Sequence, residues 1–383
     1  MNILNLIFIF CSSLVYILLY NVNRIINYPL INLCALEKCP FCYGTDLCDE
    51  FENGKFEFKI SSFENVIANL FSVKNVYYAI YKNRSVVLKK LAHDYELDEL
   101  DQFIHENYVG SRISNKDILE ILYPKGDLIG NNYVVENFHL CTHKTAENFF
   151  QQIKWYEDPN EVIEQVWYTI KVNVEPLLLK ILSSKVFPIP KYLGACGRII
   201  VEENRGQMLS NFYYADWQIR TNISVQLLKA AEVFTEKHDL FRFYLTDISP
   251  DNIAVDANMT ITFVDLENII ITNHLASGVQ SIHHSVDMES DDGFAFSPNE
   301  ICSHSLSDHN YYAICKLLLS ESAPWPMVKG GFLHSPPVGI LLQFPKLFEL
   351  VELCVHPNAK INRFDAAKEI TDILEKALQF LNT

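Results

Sequence analysis

The feature that most constrains this chain is a polar loop followed by two short β-rich runs. The loop contains Asp247 and Asn252, and a proline stands between them. The runs Ile253–Val255 and Thr260–Val264 are separated by turn-forming residues, which predicts a tight β-hairpin. Asp265 directly follows the second run. A hairpin returns the chain to its starting point, so two carboxylates and one amide are expected to lie close together.

This spacing resembles the catalytic and metal-binding loops of protein kinases, H-R-D-x-x-x-x-N followed by D-F-G. In that arrangement Asp247 would orient an attacking hydroxyl and accept its proton. Asn252 and Asp265 would hold the Mg²⁺ or Mn²⁺ ions that neutralise the phosphates of ATP. The alternative for D-x-x-x-D-N taken alone is ordinary turn chemistry, because Asp and Asn are common loop residues.

A second pattern supplies a candidate for phosphate binding. Val76–Tyr81 and Val86–Leu91 are β-rich runs joined by a turn-like tetrapeptide, which predicts a second hairpin. Within it, Val-Val-Leu-Lys89 resembles the strand-borne V-A-I-K lysine that contacts nucleotide phosphates. The neighbouring Lys90 would face the opposite side of the strand, and an ordinary edge-strand lysine is the other interpretation of Lys89.

A kinase-type lysine pairs with a glutamate on a helix, and three glutamates compete for that place. Glu175 fits if the helix and strand that follow it match the kinase order, which makes residues 92–160 an insertion. Glu96 and Glu99 are rivals, since each begins a helical stretch soon after Lys89.

The remaining patterns place a β-rich half before a helical half, which predicts an α+β class with a β-rich N-lobe and a helical C-lobe. Asp308 begins a predicted helix, where it would be an N-cap or would brace the catalytic loop backbone. The predicted strands are Lys191–Ala195 and Arg198–Glu202; the predicted helices are Glu161–Leu182, interrupted at Pro176, then Ile223–Lys237, Asn310–Leu319 and Phe364–Leu381.

The N-terminus and the cysteines indicate entry into the secretory pathway. Ile3–Tyr20 has no charged residue and is typical of a cleaved signal peptide or a signal anchor. Eight of the ten Cys residues lie beyond Cys34, which allows four disulfides, and three glycosylation sequons begin at Asn83, Asn222 and Asn258. For Cys39, Cys42 and Cys48, structural disulfides are favoured over a zinc or redox site. We therefore expect a luminal (endoplasmic reticulum or Golgi) or secreted protein.

The predicted organisation has four parts: residues 1–20 as signal peptide or anchor, 21–38 as linker, 39–203 as the Cys-containing segment and N-lobe, and 204–383 as the C-lobe. The net charge of −16 argues against nucleic acid as a partner, because phosphate backbones bind clustered Lys and Arg. The expected partner is a luminal or extracellular protein substrate or receptor. Membrane contact is expected only through an uncleaved N-terminal segment.

Six blocks of sequence together resemble the divergent protein kinase domain family, most closely its "deleted in autism" branch of secretory-pathway proteins. The resemblance runs from about residue 39 to the C-terminus and implies a kinase-like fold, a luminal or secreted location and a phosphotransferase activity. The blocks are Cys39–Cys48, Val73–Ala79, Lys191–Arg198, Asp265–Asn268, Asp308–Cys315 and Arg363–Glu369.

The sequence departs from the kinase pattern in ways that keep three functions open. No glycine occurs between Gly54 and Gly110, so the phosphate-covering Gly-rich loop is missing before Lys89. Leu245 and Thr246 replace the His and Arg of the catalytic loop, and Glu267 replaces the Gly of D-F-G. The functions are an ATP- and metal-dependent phosphotransferase, an inactive pseudokinase acting as a signalling or scaffold protein, and an adenylyl transferase on the same fold.

Overall fold

The structure, a computed structural model, describes most of the chain beyond residue 29. The predicted N-terminal segment Ile3–Tyr20, Cys39 and Cys42 lie outside the described residues. Within the described part, none of the helices has the length and apolar character needed to cross a membrane. The described ranges are 30–36, 43–58, 76–108, 133–135, 138–154, 161–184, 186–274, 282–286, 298–325 and 330–381.

Strands and helices alternate along the described chain. The strands are β1 (Phe56–Phe58), β2 (Val76–Tyr81), β3 (Arg84–Lys90), β4 (Tyr133–Val135), β5 (Phe138–Leu140), β6 (Tyr192–Cys196), β7 (Ile199–Glu203), β8 (Gln207–Met208), β9 (Phe241–Leu245), β10 (Ile253–Val255), β11 (Ile261–Phe263), β12 (Ile269–Asn273), β13 (Ile282–His283) and β14 (Leu306–Ser307). The α-helices are α1 (Cys48–Glu52), α2 (Asp94–Tyr108), α3 (His143–Lys154), α4 (Glu161–Val172), α5 (Glu175–Ile181), α6 (Trp217–Glu236), α7 (Pro298–Cys302), α8 (His309–Ile314), α9 (Val338–Gln343), α10 (Leu347–Val355) and α11 (Arg363–Leu381).

These elements belong to two compact units. The first contains the described residues up to 108 together with 161–176 and 191–204. The second contains the described parts of 133–154 and 177–190 and everything described from residue 205 onward. Each unit therefore draws on separate stretches of the chain.

The first unit is built on a five-stranded antiparallel sheet with the order β1-β2-β3-β7-β6. The predicted hairpin of β2 and β3 is confirmed, and Lys82 and Asn83 at its turn have φ angles of 49° and 61°. A pair of positive φ angles matches the twist of a two-residue hairpin turn. Phe51, Phe56 and Tyr81 stack on one side of the sheet, and the disulfide Cys48–Cys196 lies in this unit.

The second unit is organised around the long helix α6, most of whose residues are buried. A helix that is apolar on more than one face packs inside the domain rather than on its surface. It contacts α8, α11 and β9, and the β10–β11 hairpin predicted from the sequence is present. The predicted helices near residues 310–319 and 364–381 are also found, although residues Cys315–Leu319 form a π-helical turn.

One small sheet of the second unit differs from the sequence expectation. Residues 92–160 have no strong strand signal, yet β4 and β5 lie within them. β5 pairs in parallel with β12, and β12 pairs on its other edge with β9. A three-residue strand whose partner is far along the chain leaves too short a local pattern to be read as a strand.

Three disulfides are present among the described cysteines. They are Cys48–Cys196 in the first unit, with Cys141–Cys302 and Cys315–Cys354 in the second. Burial raises the pKa of the Cys34 thiol to about 12, so it is protonated at neutral pH. Disulfides of this number are typical of proteins in an oxidising, secretory compartment.

Candidate functional site

In the second unit, the loop after β9 brings Asp247 and Asn252 together. Residues Pro250–Asn252 form a turn of 3₁₀-helix, with the Asn252 amide N–H donating to the carbonyl of Ser249. The buried Asn252 side chain donates from Nδ2 to the carbonyl oxygen of Asp247 at 3.2 Å. Asp247 is exposed.

The β10–β11 hairpin carries Asp265 back to this loop. Ile253 pairs with Phe263, and the next bond runs from the Val264 N–H to the Asn252 carbonyl at 3.0 Å. Asp265 is the residue after Val264, so it lies one position beyond the bond to Asn252. The sequence-predicted trio of Asp247, Asn252 and Asp265 therefore shares one end of one hairpin.

This donor set fits a magnesium-type cation in company with a nucleotide. Because Nδ2 of Asn252 donates to a backbone carbonyl, its amide oxygen is the side-chain atom suited to bind a cation. Asp265 is half-buried and accepts a long contact from the Glu267 N–H at 3.5 Å. Mg²⁺ commonly takes one or two protein oxygens and completes its shell with phosphates and water. Across the described ranges, no group of three or more His, Cys, Asp or Glu side chains is placed to hold a metal by itself.

The backbone just before the loop is held by α8. The Asn310 side chain accepts from the Leu245 N–H at 2.9 Å and donates to the Phe243 carbonyl at 2.8 Å. His309 Nε2 lies 2.9 Å from the Leu245 carbonyl, and burial lowers the pKa of His309 to about 4. A neutral imidazole therefore donates to Leu245 at neutral pH and fixes the start of the loop.

The structure assigns Asp308 a different contact from the predicted N-cap. Its carboxylate makes no capping bond to α8. It accepts from the Ser285 N–H at 2.9 Å, lies 2.7 Å from Nδ1 of His284 and forms an ion pair with Arg363. Asp308 is thus at the predicted N-cap position of α8 without a side-chain capping bond, and its neighbours His309 and Asn310 make the bonds to the strand that leads into the loop.

In the first unit, Lys89 on β3 lies against Glu175 at the start of α5. Its Nζ is 2.8 Å and 2.9 Å from the two carboxylate oxygens of Glu175. Asn173 fixes the beginning of this helix, because its side chain accepts from the Glu175 N–H at 2.9 Å. Pro176 follows at the second position of α5, where a missing N–H costs nothing.

The rival glutamates take other positions. Glu96 is exposed and accepts from the His93 N–H at 2.7 Å, which caps the first turn of α2. Glu99 is also exposed on the same helix. Of the three candidates that the sequence left open, Glu175 is the one found beside Lys89.

A further acidic residue at Lys89 was missed by the sequence reasoning. Oε1 of Glu202, on β7, lies 3.3 Å from Lys89 Nζ, and its side chain is 2% exposed. The pairing of β3 with β7 puts Glu202 opposite Val87, two positions from Lys89 on the same face of the sheet. The only sequence signal was an acidic pair at the end of a β-rich run, which did not reveal the register.

Comparisons with known proteins identify the family of this chain. A family profile described as "Protein-kinase domain of FAM69" matches residues 166–357. The chain is 31% identical to Divergent protein kinase domain 2A of Xenopus tropicalis, over 96% of this chain and 94% of that protein. It is also 31% identical to Divergent protein kinase domain 2A of Homo sapiens, over 88% of this chain and 86% of that protein.

A solved structure is similar at a coarser level. The structure of vaccinia related kinase 3 aligns with 80% of this chain and 85% of that chain, at 13% identity and a TM-score of 0.35. The sequence matches carry the family assignment.

Proposed function

The chain belongs to the divergent protein kinase domain 2A family, and we propose that it is an ATP- and metal-dependent phosphotransferase acting on a hydroxyl group. The kinase-like α+β domain is the common property of this family. In this proposal, Lys89 and Glu175 would bind the nucleotide, and Asn252 and Asp265 would bind the cation. Asp247 would orient the acceptor.

The observation that carries the proposal is the Lys89–Glu175 ion pair. The Glu175 side chain is 2% exposed. Burying a carboxylate away from water costs on the order of several kcal/mol. Because apolar residues often fill such a position at least as stably, a buried carboxylate paired with a partly exposed lysine favours a ligand-binding role. The Lys89 side chain remains 15% exposed, which leaves its ammonium within reach of a phosphate.

The second-unit residues suit the remaining tasks. Asp247 is an exposed carboxylate on a loop whose start is fixed by His309, and it would orient a hydroxyl and take its proton. Asn252 and Asp265 would hold the divalent cation through oxygen atoms. When bound, that cation would supply charge neutralisation at the transferring phosphate.

The compartment follows from the disulfides. Three disulfides among the described residues support an oxidising environment for the protein. We propose the lumen of the endoplasmic reticulum or Golgi, or the extracellular space, as its location. A luminal or extracellular protein with an exposed hydroxyl would then be the acceptor.

Thermal unfolding of the purified full chain tests nucleotide binding. A ligand that binds only the native state stabilises it by about 2.7 kcal/mol at one hundred times its Kd. We expect ATP with Mn²⁺ or Mg²⁺ to raise the Tm, and Asp265→Ala to abolish that rise. Asp372→Ala, an exposed residue on α11, removes the same charge away from the site and should leave the rise intact. An unchanged Tm at millimolar ATP in folded protein would contradict the proposal.

A second candidate is an inactive binding protein. The absence of glycine from 55 to 109 and Glu267 in place of the D-F-G glycine both favour a weaker grip on ATP. Transfer of label from ATP to a mixture of luminal proteins separates the possibilities. Label from the γ-phosphate indicates phosphotransfer, label from the α-phosphate indicates adenylyl transfer, and neither indicates a binding function.

A further inference from the structure

Two of the three glycosylation sequons lie at the turns of the two hairpins. Asn83 and Asn258 are both exposed. Asn83 has a φ angle of 61° in the turn between β2 and β3, a conformation that asparagine tolerates better than most residues. Asn258 lies in the turn between β10 and β11, and Thr260 of the same sequon is also exposed. An N-linked glycan is bulky and hydrophilic, so its asparagine must lie at the surface, and both turns meet that requirement.

The turn that carries Asn258 is held by its own backbone and by helix α6. The Asp256 N–H donates to the Thr260 carbonyl at 3.0 Å, and one carboxylate oxygen of Asp256 accepts from the N–H groups of Asn258 and Thr260. Gln226 of α6 donates to the Met259 carbonyl at 2.7 Å. None of these bonds uses the Asn258 side-chain amide or the Thr260 hydroxyl, so a glycan at this turn disturbs no bond that holds it.

The third sequon begins at Asn222, within α6, and its surroundings are different. Asn222 is half-buried, and the buried Ser224 hydroxyl donates to the Arg220 carbonyl at 2.8 Å. Gln226 lies one turn after Asn222 on the same face of the helix, and both polar atoms of its amide bind the β10–β11 hairpin. A glycan at Asn222 would take up the space in which the hairpin packs on α6. A chain that received one before folding could not form these contacts.

We propose that the folded protein carries N-linked glycans at Asn83 and Asn258 and none at Asn222. This inference rests on the luminal or extracellular location proposed above and not on the transfer reaction. In the modification, the asparagine side-chain nitrogen forms a bond to the anomeric carbon of the first sugar of a lipid-linked oligosaccharide. The bond from that carbon to the lipid pyrophosphate breaks, the lipid pyrophosphate leaves, and the nitrogen loses one proton.

Both glycans would lie away from the residues of the proposed reaction. Strand β10 separates Asn252 from the turn that carries Asn258, a length of roughly 10 Å at about 3.3 Å per residue. Strand β3 likewise separates Asn83 from Lys89, by roughly 20 Å. The glycans would therefore cover one end of each hairpin and leave the opposite end, which carries the site residues, uncovered.

The test is mass spectrometry of the full chain produced in animal cells. A peptide N-glycosidase used in heavy-oxygen water converts each asparagine that carried a glycan into an aspartate marked with heavy oxygen. We expect the mark at positions 83 and 258 and none at 222. Asn258→Gln and Asn83→Gly should each remove the mobility shift of one glycan on a gel, and glycine suits the positive φ angle of its turn. Asn222→Gln, the matched control, should leave the mobility unchanged.

A further variant tests the sequon apart from its asparagine. Thr260→Val keeps Asn258 and nearly the same side-chain shape but removes the hydroxyl of the sequon, so it should abolish the same glycan. A mark at position 222 in folded, secreted protein would overturn the inference. So would an unmarked asparagine at either hairpin turn in protein recovered from the medium, a measurement that requires no variant to fold.

Protease protection separates this inference from the proposed location. If the chain is protected inside intact microsomes or is found in the medium, but both turns are unmarked, the location stands and the inference is wrong. If the chain is neither protected nor secreted and all three sequons are bare, both fail. The proposed phosphotransfer is decided separately, by thermal unfolding with ATP and by transfer of label.

Discussion

Two ionic clusters, one in each unit, differ in the exposure of the cation that they contain. In the second unit Arg363 faces Asp308, with side chains 1% and 0% exposed. The guanidinium also donates to the backbone carbonyls of Ser285, Cys354 and Val355 and lies over the Tyr312 ring. In the first unit, a partly exposed lysine faces two carboxylates on strand and helix.

The difference indicates which cluster serves structure and which serves a ligand. One cation and one anion surrounded by backbone partners leave little for a ligand to gain, so the Arg363–Asp308 pair is structural. The Lys89 side chain is 15% exposed, which suits binding of a charged ligand. Two ion pairs that each contain a buried carboxylate can therefore serve different purposes.

The strongest test of the comparison is Arg363→Met. This change leaves the Asp308 carboxylate buried without its cation and three carbonyl oxygens without a donor. We expect a loss of about 3–5 kcal/mol in the free energy of unfolding. Urea denaturation measures it. As a control, Lys229→Met breaks an exposed ion pair with Glu375 and should change stability by less than about 1 kcal/mol.

A loss for Arg363→Met no greater than that for Lys229→Met would remove the distinction between the clusters. It would mean that Asp308 finds another partner after the arginine is removed. His284, whose Nδ1 is 2.7 Å from Asp308, is a side chain that can then pair with that carboxylate.

The second test concerns pH and the His309 contact that fixes the loop. Burial lowers the pKa of His309 to about 4, whereas an unfolded histidine titrates near 6.5. The unfolded state therefore takes up a proton first as pH falls, so this contribution to stability is complete above pH 6.5 and is lost between 6.5 and 4. The expected loss from pH 7.5 to pH 5 is about 2 kcal/mol.

Urea denaturation at the two pH values, for the wild type and His309→Gln, measures this contribution. Glutamine has an N–H donor but does not titrate, so the variant should lose less stability on acidification than the wild type. Equal losses in the two proteins would show that other groups account for the acid sensitivity.

The smallest expected effect on stability is that of removing a carboxylate from the Lys89 cluster. Glu202→Gln removes one of the two carboxylates beside Lys89, which keeps Glu175, so stability should stay the same or rise by up to about 1 kcal/mol. The corresponding change in the second unit, Asp308→Asn, leaves a buried arginine without its anion and should destabilise. Parallel denaturation of the two variants checks the opposite signs, and a clear loss for Glu202→Gln would make both clusters structural.

The elements that the sequence predicted well are those whose pattern and partner are both local. The β2–β3 hairpin has its turn residues between its two strands, and so does the β10–β11 hairpin. The trio Asp247, Asn252 and Asp265 could be grouped for this reason. Pro176 likewise marked the start of a new helix, α5, because proline is well accommodated in a first turn.

The elements that were missed depend on distant parts of the chain. β5 pairs with β12, so His139 meets Ile270 across a long intervening sequence. Glu202 could be connected with Lys89 only once the register of β3 and β7 was known. Glu175 was the preferred partner of Lys89 from the sequence, but excluding Glu96 and Glu99 required the same long-range information.

Arg363 gave a signal that was not used. It is the first residue of α11, where the helix dipole disfavours a positive charge. A cation at that position must be stabilised by something other than its own helix. The sequence could therefore have suggested a buried acidic partner, although not that the partner is Asp308.

The disulfides of the two units are interleaved along the chain. Cys48 joins Cys196, and Cys141 joins Cys302, so the stretch from 141 to 196 lies inside both closed loops. A protease that cuts once within that stretch would leave two fragments joined by both bonds. The nicked protein would run as one species until it is reduced, and neither unit could be obtained by expressing a single continuous piece of the chain.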